Sequence, residues 1–514
     1  MKKTTLAAII ISLATVLSST AGPPATYVKI YDFGGVNAIP GSALTVGTCR
    51  DYYGVTYGGA DEDGTGSIFA LKESVRDTIR LTTAYRSDIA GSPSMDGQHF
   101  YASLIFSPDN TMLMGTAQGG GDGAGVLFGL NYAQALSAQN NGVGYSIEHW
   151  FNSTLEGGAP QAKLAVPPVL TTPAIYFGTL YSDGPLGGGA VYSFNSGSGW
   201  LQPLHQWSLT GTTGGLDGAN PLGQLVVTFK SPPLIVPRAA QATPLLVTNL
   251  DLSTLQLYGI TKTGGSNNWG TVYCVDGNGS NFMVLHHFNL DGSDGANPMG
   301  GMVLSGSVLY GTTSYGGANY DGTIFKINID GSGFTILTNF DYSTTGSSPK
   351  GDLILSGATL YGTTYFGGTN GGGTIYSIDT NGANFTLLYS FTSPVYNGNG
   401  GYTNVDGGWS VAGVVMAGGD LVGTTPYGGT NGVGTAYRLI LPGPPRLRLA
   451  RTAGDYRVSW PSWASNYVLQ QSVELAPPNW TINSLTISDN GTNRSIVFAP
   501  TNQLFFRLLN TNAP

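Results

Sequence analysis

The chain has few of the residues that bind nucleic acid or form disulfides. Charged residues make up only 10% of its 514 residues, and its formal net charge at pH 7 is −8. A nucleic-acid surface needs many Lys and Arg side chains against the phosphates, so we exclude nucleic acid as a partner. Only Cys49 and Cys274 occur, so at most one disulfide can form. The absence of a CxxC spacing argues against a structural zinc site.

Long apolar runs are missing as well. No stretch reaches the roughly 20 apolar residues that a membrane-spanning helix needs, so we predict no transmembrane segment. The first 21 residues combine two lysines, the shorter apolar run Leu6–Leu17 and small residues at the end. This order is typical of a secretory signal peptide. We therefore expect a signal peptide at residues 1–21, a mature chain from Gly22, and a protein that is secreted or held at the cell surface.

One unit of about 51 residues recurs seven times along the chain. Its clearest form reads Tyr-Gly-Thr-Thr, then Gly-Gly, then Gly-Thr-Ile followed by Phe or Tyr, starting at Tyr310 and again at Tyr361. The glycine before the first Thr marks all seven copies, at Gly54, Gly115, Gly178, Gly259, Gly311, Gly362 and Gly423. Helix signals are scarce, with Leu130–Gln139 as the one short candidate.

Each copy predicts four short antiparallel strands, a to d, bounded by turn residues. In the sixth copy they lie at Asp352–Leu355, Thr359–Thr364, Thr374–Asp379 and Phe385–Phe391. A single four-stranded sheet cannot bury its apolar surface alone, whereas radially arranged sheets pack face on face as a β-propeller.

The two ends of the repeat region favour a closed ring over a linear stack. The first strand of the chain, Tyr27–Phe33, matches strand d, while the last copy stops after its strand c. We therefore predict an all-β fold with a seven-bladed β-propeller over residues 26–441, closed by pairing of Tyr27–Phe33 with Thr435–Leu439. Because Cys49 and Cys274 fall in the first and fourth blades, they lie too far apart to bond, and we expect both to be unpaired.

The composition changes after the last copy, where Pro and Gly residues predict a linker at residues 442–446. Residues 447–514 contain alternating segments that predict a small β-sandwich. Its expected strands are Tyr456–Trp460, Tyr467–Ser472, Leu485–Ser488, Ser495–Phe498 and Leu504–Leu508.

The repeat, with Asp-Gly-Ala-Asn-Pro before it, resembles the GloVer-type tandem repeat family of exported bacterial proteins over roughly Tyr27–Leu441. Copies four to seven carry the pattern most clearly. The tail resembles a fibronectin-III-like domain through Val458-Ser459-Trp460-Pro461, Tyr467-Val468-Leu469-Gln470, Asn479-Trp480-Thr481 and Phe505-Phe506-Arg507-Leu508. The resemblance implies an extracellular repeat protein and brings no established activity.

The b–c and d–a loops of a propeller with strand d outermost lie on one face, which here collects the Gly-rich and Asp-rich segments. Loops on a rigid scaffold commonly carry function, so this is the predicted ligand face. Its aromatic rings can stack on sugars, although structural packing of the same tyrosines remains the alternative. The ligand-face candidates are Tyr57, Tyr315, Tyr320, Tyr365, Phe366 and Tyr427.

Several acidic and imidazole side chains invite a metal interpretation. Asp217 and Asp294 begin Asp-Gly-Ala-Asn-Pro segments, and Asp61 with Asp63 forms the densest acidic cluster, so these four are weak calcium candidates. Because Asp-Gly and Asn-Pro also encode tight turns, we favour turns over Ca²⁺ and expect no cofactor. Three histidines share one position in strand d and could suit zinc, but we favour packing along the outer rim; they are His149, His205 and His286.

Two functions remain open at this point. The first is an exported, non-catalytic scaffold, expected to be a monomer, that binds an extracellular glycan or a cell-envelope component. The alternative is a secreted carbohydrate-active enzyme, a glycoside hydrolase or lyase, with its site on the propeller loop face. Glycoside hydrolysis needs two opposed carboxylates, and no pattern among the 29 acidic residues assembles such a pair. We therefore favour the binding protein.

Overall fold

The computed structural model describes most of the repeat region and parts of the tail. The described residues are 25–34, 38–47, 51–58, 66–73, 79–86, 98–120, 123–135, 144–210, 213–231, 246–398, 401–442, 447–452, 455–461, 467–472, 480–489, 493–498 and 505–510. The predicted signal peptide, Cys49, Asp61, Asp63 and most of the predicted linker lie outside them. Tyr27–Leu439 forms one compact unit, and the residues from Ile440 onward belong to a second.

Seven antiparallel sheets build the first unit, and in all but the last the paired strands follow one another in chain order. Sheet 1 contains Ala38–Pro40, Thr45–Val46, Asp51–Gly58, Ser67–Glu73 and Ile79–Arg86. Sheet 2 contains Ile105–Phe106, Leu113–Ala117, Val126–Leu130 and Tyr145–Trp150. Sheet 3 contains Ile175–Leu180, Gly187–Asn195, Trp200–Thr210 and Thr213–Gly214, and its strand a is reduced to a bridge between Ala165 and Phe177.

The remaining four sheets carry the clearest copies of the repeat. Sheet 4 contains Ala219–Phe229, Leu255–Thr263, Thr271–Asp276 and Met283–His287. Sheet 5 contains Gly295–Pro298, Val303–Ser305, Val308–Gly316, Thr323–Asn328 and Thr335–Asn339. Sheet 6 contains Ile354–Ser356, Thr359–Thr364, Gly371–Asp379 and Thr386–Thr392. Sheet 7 contains Val415–Ala417, Asp420–Thr425, Thr435–Ile440 and, as its strand d, Thr26–Asp32.

Few elements lie outside the seven sheets. Leu170–Thr172 pairs in parallel with Leu246–Thr248, and Val395–Tyr396 forms a hairpin with Tyr402–Thr403. Of the predicted helix Leu130–Gln139, Tyr132–Ala135 is helical and residues 136–139 lie outside the described residues; a 3-10 turn occupies Leu252–Thr254. Among the described residues, no helix has the length and apolar character required to cross a membrane.

The N-terminal strand completes the last sheet, as the sequence predicted. Thr26–Asp32 pairs with Thr435–Ile440, and the Phe33 amide donates to the Gly434 carbonyl at 3.0 Å. Sheets 1 and 7 then pack on each other, with Leu44 and Val422 in the same buried cluster. The other clusters also lie between successive sheets, so the apolar core is divided among the sheet interfaces. This arrangement is that of a seven-bladed propeller.

The glycine that marks each copy makes room for an aromatic ring on strand c. Gly311 lies opposite Phe325, and Gly362 lies opposite Tyr376. A Cβ atom on Gly311 would lie 2.5 Å from the Phe325 ring, and one on Gly362 would lie 2.3 Å from the Tyr376 hydroxyl oxygen. The Tyr-Gly-Thr-Thr motif therefore records a cross-strand pair in which only glycine fits.

The paired threonines of the motif join strands b and c inside the sheet. The hydroxyls of Thr313 and Thr323 lie 2.8 Å apart, as do those of Thr364 and Thr374, and both pairs are buried. Gly322, before Thr323, has φ +96°, and a Cβ atom there would lie 2.3 Å from the Thr313 carbonyl oxygen. Only glycine meets both conditions, which explains the recurring Gly-Thr.

The C-terminal unit contains two small sheets over one core. The first sheet contains Arg448–Thr452, Asp455–Pro461, Asn493–Phe498 and Ser488–Asp489, and the second contains Thr481–Ile482, Tyr467–Ser472 and Phe505–Asn510. Their shared core is made of Val458, Trp460, Leu469, Ile496, Phe506 and Leu508. This is the predicted β-sandwich, with Arg448–Thr452 as a strand that the alternating pattern did not predict and Leu485–Ser488 mostly outside a strand.

Candidate binding site in the central channel

A cavity of about 270 Å³ lies where the seven sheets meet. Every sheet contributes residues in or next to the start of its innermost strand, which places the cavity on the propeller axis. The lining residues are 41–43, 101, 103, 161–163, 222–224, 299, 350–352 and 411–413.

One side of the cavity is closed by direct contact between backbones. A Cβ atom on Gly300 would lie 2.2 Å from the Gly351 carbonyl oxygen, and one on Gly351 would lie 2.3 Å from the Gly413 nitrogen. Neighbouring blades therefore touch there without side chains between them. Tyr101, Gln161 and Lys163 come from the second and third blades, and they supply much of the polar lining.

The charged lining consists of two lysines and one aspartate, Lys163, Lys350 and Asp352. Asp352 Oδ1 accepts a 2.5 Å hydrogen bond from the Gly301 amide. Lys350 Nζ lies 3.4 Å from the centroid of the Tyr365 ring, a close cation–π contact. Burial lowers the pKa of the Lys163 ammonium, and Asp352 opposes this effect. Burial, followed by the charge of Lys262, lowers the pKa of Lys350.

Beside Lys350 lies a group of aromatic residues that we call the mouth cluster, made of Tyr365, Phe366, Tyr402, Trp409 and Tyr427. Trp409 is its centre, with ring centroids 5.1 Å from Tyr402, 5.3 Å from Tyr427 and 6.2 Å from Phe366. Phe366 is 39% exposed, and the other four rings are partly buried. The cluster thus offers open aromatic surface next to the cavity.

Trp409 lies in an unusual backbone conformation, with φ +55°. Each sheet has one left-handed residue at this position before its strand a: Ile39, His99, Ala159, Asn220, Asn297, Ser348 and Trp409. In sheet 7 the Trp409 amide donates to the Gly372 carbonyl of sheet 6 at 2.8 Å. In sheet 5 the Asn297 amide donates to the Trp269 carbonyl, which belongs to the b–c loop of sheet 4, also at 2.8 Å. The left-handed turn therefore joins neighbouring blades, and its geometry favours Asn over Trp.

The structure brings together some of the predicted ligand-face residues and separates others. Tyr365, Phe366 and Tyr427 belong to the mouth cluster. Tyr57 lies in sheet 1, outside the mouth cluster. Its ring centroid is 4.4 Å from that of Tyr101, which lines the cavity. Tyr315 and Tyr320 contact each other at 5.9 Å and are 42% and 48% exposed, but they do not contact the mouth cluster.

The sequence interpretation missed the residues at the centre of the site, which are Trp409, Tyr402, Lys163 and Lys350. One signal was available for Trp409, because it occupies the Asn position of Asp-Gly-Ala-Asn-Pro in the seventh copy. An aromatic residue at a turn position that Asn occupies in other copies indicates a role other than forming the turn.

The metal candidates that the structure describes are engaged in pairs with histidines. Asp217 Oδ2 lies 2.9 Å from His205 Nε2, and Asp294 Oδ2 lies 2.9 Å from His286 Nε2. Asp294 Oδ1 also accepts from the Gly295 amide at 2.7 Å, which is a turn contact. Within the described part of the chain, no three His, Cys, Asp or Glu side chains converge as metal ligands.

Residues 253–444 match the family model described as the Gloeobacter/Verrucomicrobia repeat. This region runs from strand b of sheet 4 to the end of sheet 7, where the motif is most regular. Within this region the pairs of Gly with an aromatic ring and of Thr with Thr recur in sheets 4 to 7. No curated protein matches the chain in sequence.

Solved structures with a distantly similar fold include an oligogalacturonate lyase from Vibrio parahaemolyticus, 11% identical with a TM-score of 0.42, over 79% of this chain and 90% of that one. An oligogalacturonate lyase in complex with manganese is 11% identical with a TM-score of 0.41, over 81% and 96% of the two chains. TolB from Acinetobacter baumannii is 11% identical with a TM-score of 0.33, over 63% and 59%.

Proposed function

We propose that this protein is an exported, non-catalytic glycan-binding propeller whose ligand site is the mouth cluster and the adjoining channel. The observation that carries the proposal is Trp409, a large ring in a backbone conformation that favours Asn or Gly. Such strain costs on the order of 1–3 kcal/mol and concentrates at functional sites. The conformation recurs in all seven sheets, so what distinguishes Trp409 is the large ring that it adds to the mouth cluster.

Sugar rings suit the chemistry of the mouth cluster. The flat apolar face of a pyranose packs on an aromatic ring, while its hydroxyls need polar partners around it. Trp409 and Phe366 offer the rings, and Gln161, Gln224 and Tyr101 line the cavity beside them with hydrogen-bonding groups. A site with a few polar groups beside aromatic surface fits a glycan better than a purely apolar ligand.

Binding without catalysis is the simpler account of the channel. Among the described residues that line the cavity, Asp352 is the only carboxylate, whereas glycoside hydrolysis uses two. One oxygen of Asp352 also accepts a hydrogen bond from the Gly301 amide. The signal-like residues 1–21 support export, which would present this face to extracellular glycans or cell-envelope components.

The test is glycan binding by the mature chain from Gly22, first on a glycan array and then by calorimetry. Trp409→Asn removes the ring and supplies the residue found at the equivalent positions 220 and 297. We expect it to weaken binding about 10-fold or more, because stacking on a central aromatic anchor dominates such sites. Its thermal midpoint should be retained or raised, because the backbone strain is relieved.

Trp200→Ala is the matched control, since Trp200 is 69% exposed at a c–d turn, on the opposite face. It should leave glycan affinity unchanged. Lack of any glycan binding by the wild type would overturn the proposed function, and equal binding by wild type and Trp409→Asn would overturn the location of the site.

A further inference from the structure

Lysines are concentrated at the channel of an otherwise acidic protein. The chain has nine lysines and a formal net charge of −8, yet Lys163 and Lys350 line one cavity and Lys262 lies close enough to act on Lys350. Two lysines elsewhere have carboxylate partners, Lys29 with Asp32 at 2.7 Å and Lys230 with Asp276 at 2.5 Å.

The two cavity lysines lack such partners. Within the described residues neither Lys163 nor Lys350 forms an ion pair, and Lys350 Nζ lies on the Tyr365 ring instead. A partly buried ammonium group without a carboxylate partner loses hydration that nothing in the protein fully replaces. Methionine or leucine would fill the same space without that loss, so the two charges have no evident structural purpose.

We propose that the channel binds an acidic oligosaccharide, with carboxylates of its sugars held by the ammonium groups of Lys350 and Lys163. This inference rests on the proposed glycan-binding function and names the class of glycan. The mouth cluster stacks on one sugar ring, and the acidic end of the chain enters the cavity. Charge-assisted hydrogen bonds from ammonium to carboxylate are among the strongest available to such a site.

The depth of the two lysines fits a ligand that enters from the mouth. Lys350 and Asp352 are the first and third residues of one lining segment, about 6.6 Å apart along an extended chain. Lys163 is the third residue of its own segment, so it lies deeper than Lys350 and nearer the level of Asp352. A ligand carboxylate that enters from the mouth contacts Lys350 first and Lys163 second. The negative charge of Asp352 limits how many carboxylates can enter.

The size of the cavity limits what enters. Its volume of about 270 Å³ is near the lower end of the roughly 300–1,000 Å³ of small-molecule sites. One sugar residue fits such a space, while the rest of an oligosaccharide lies along the mouth cluster. A neutral sugar in the same position would leave both ammonium groups without a partner, which gives the site its selectivity.

The experiment compares two ligands that differ only in charge, a uronate tetrasaccharide and its carboxyl-reduced counterpart, by calorimetry at fixed ionic strength. We expect the acidic form to bind about 10- to 100-fold more tightly. Lys163→Met and Lys350→Met should each remove most of this difference between the acidic and the neutral ligand. Lys326→Met, on strand c of sheet 5 and outside the cavity, is the matched control and should change neither affinity.

The outcomes separate this inference from the function on which it rests. Equal affinity for the acidic and neutral tetrasaccharides overturns the inference and leaves glycan binding intact, whereas no binding of either overturns both. Inorganic phosphate that competes as well as the uronate overturns the sugar carboxylate as the ligand. The two Lys→Met variants should have thermal midpoints equal to or above the wild type, which shows that any lost binding is not lost folding.

Discussion

The Thr424 hydroxyl, in the last sheet of the chain, donates a 2.8 Å hydrogen bond to the Ser42 carbonyl in the first. The equivalent bond between sheets 6 and 7 runs from Thr363 to the Ala412 carbonyl at 2.9 Å. Both donors are the first Thr of the Tyr-Gly-Thr-Thr motif or its equivalent. The contact between the two ends of the repeat region is therefore built in the same way as a contact between consecutive copies.

Replacing this donor tests the junction. Thr424→Val keeps the shape of the side chain and leaves the Ser42 carbonyl without its partner, so we expect a loss of about 1–3 kcal/mol in unfolding free energy. Thr312→Val is the control at the same repeat position, because in the described chain the Thr312 hydroxyl is buried without a hydrogen-bond partner. That change should be neutral or stabilising. Urea unfolding of the two variants checks this, and equal destabilisation would contradict it.

Glycine packing around the channel gives a second prediction. In Gly351→Ala the new methyl group would meet the backbone of Ala412 and Gly413 at 2.4 and 2.3 Å, and backbone cannot swing aside as a side chain can. We expect destabilisation of about 1–3 kcal/mol or more, seen as a lower thermal midpoint. Gly34→Ala is the control, since the atoms nearest its methyl group would belong to the Asn431 side chain and not to backbone. A Gly351→Ala variant as stable as Gly34→Ala would show that the blades have room to separate.

The free thiol should be inert in the native protein. Cys274 is unpaired and buried, and burial, followed by the charge of Asp276, raises the pKa of its thiol to about 11. Only the thiolate reacts, so in a Cys49→Ser variant iodoacetamide should leave Cys274 unmodified at pH 8 and label it fully in urea. Mass spectrometry measures both. Rapid labelling of the native variant would contradict the burial of Cys274.

Stability should fall on mild acidification. Burial lowers the pKa of His99, His205 and His287, and at His205 the carboxylate of Asp217 opposes the effect. Since an unfolded histidine with a pKa near 6.5 takes up a proton before the folded one does, the stabilising contribution is complete above about pH 6.5 and is lost below it.

The variant that tests this pH dependence is His205→Tyr. Tyrosine occupies the same repeat position at Tyr389, where its hydroxyl donates to Asp406 Oδ2 at 2.7 Å. The variant should lose less unfolding free energy than the wild type between about pH 7 and pH 5. Urea midpoints at several pH values measure the slope, and identical slopes would show that His205 plays no part in it.

The fold was predictable because the repeat records contacts that each copy must make within itself. In the sixth copy the predicted strand Thr359–Thr364 has the observed bounds, and Phe385–Phe391 is displaced by one residue from Thr386–Thr392. The pairing of Gly with an aromatic ring and of Thr with Thr takes place between strands b and c of one copy. The paired residues therefore recur at a nearly fixed spacing in the sequence. The pairing of the two ends followed from counting strands of type d, and the structure confirms that pairing.

The candidate site was only half predictable, because its members come from different copies and do not repeat. Tyr365, Phe366 and Tyr427 were found since they follow the recurring Thr-Thr pair. Trp409 and Lys163 were not, because their significance depends on which residues the ring places on its axis. No spacing in the sequence links position 163 to position 350, and only the closed arrangement of sheets brings both to one cavity.

The N-terminal strand Thr26–Asp32 finds its partner only when residues near 440 exist, so the last sheet cannot form until the whole repeat region has been synthesised. Joining segments so far apart in sequence is slow, and an unpaired strand edge is prone to aggregation while it waits. A nascent chain that ends before residue 435 would contain sheets 1 to 6 and two unpaired strand edges, which are open to pairing with other chains. Pairing of the first strand with the last copy therefore makes closure of the ring a late step in folding.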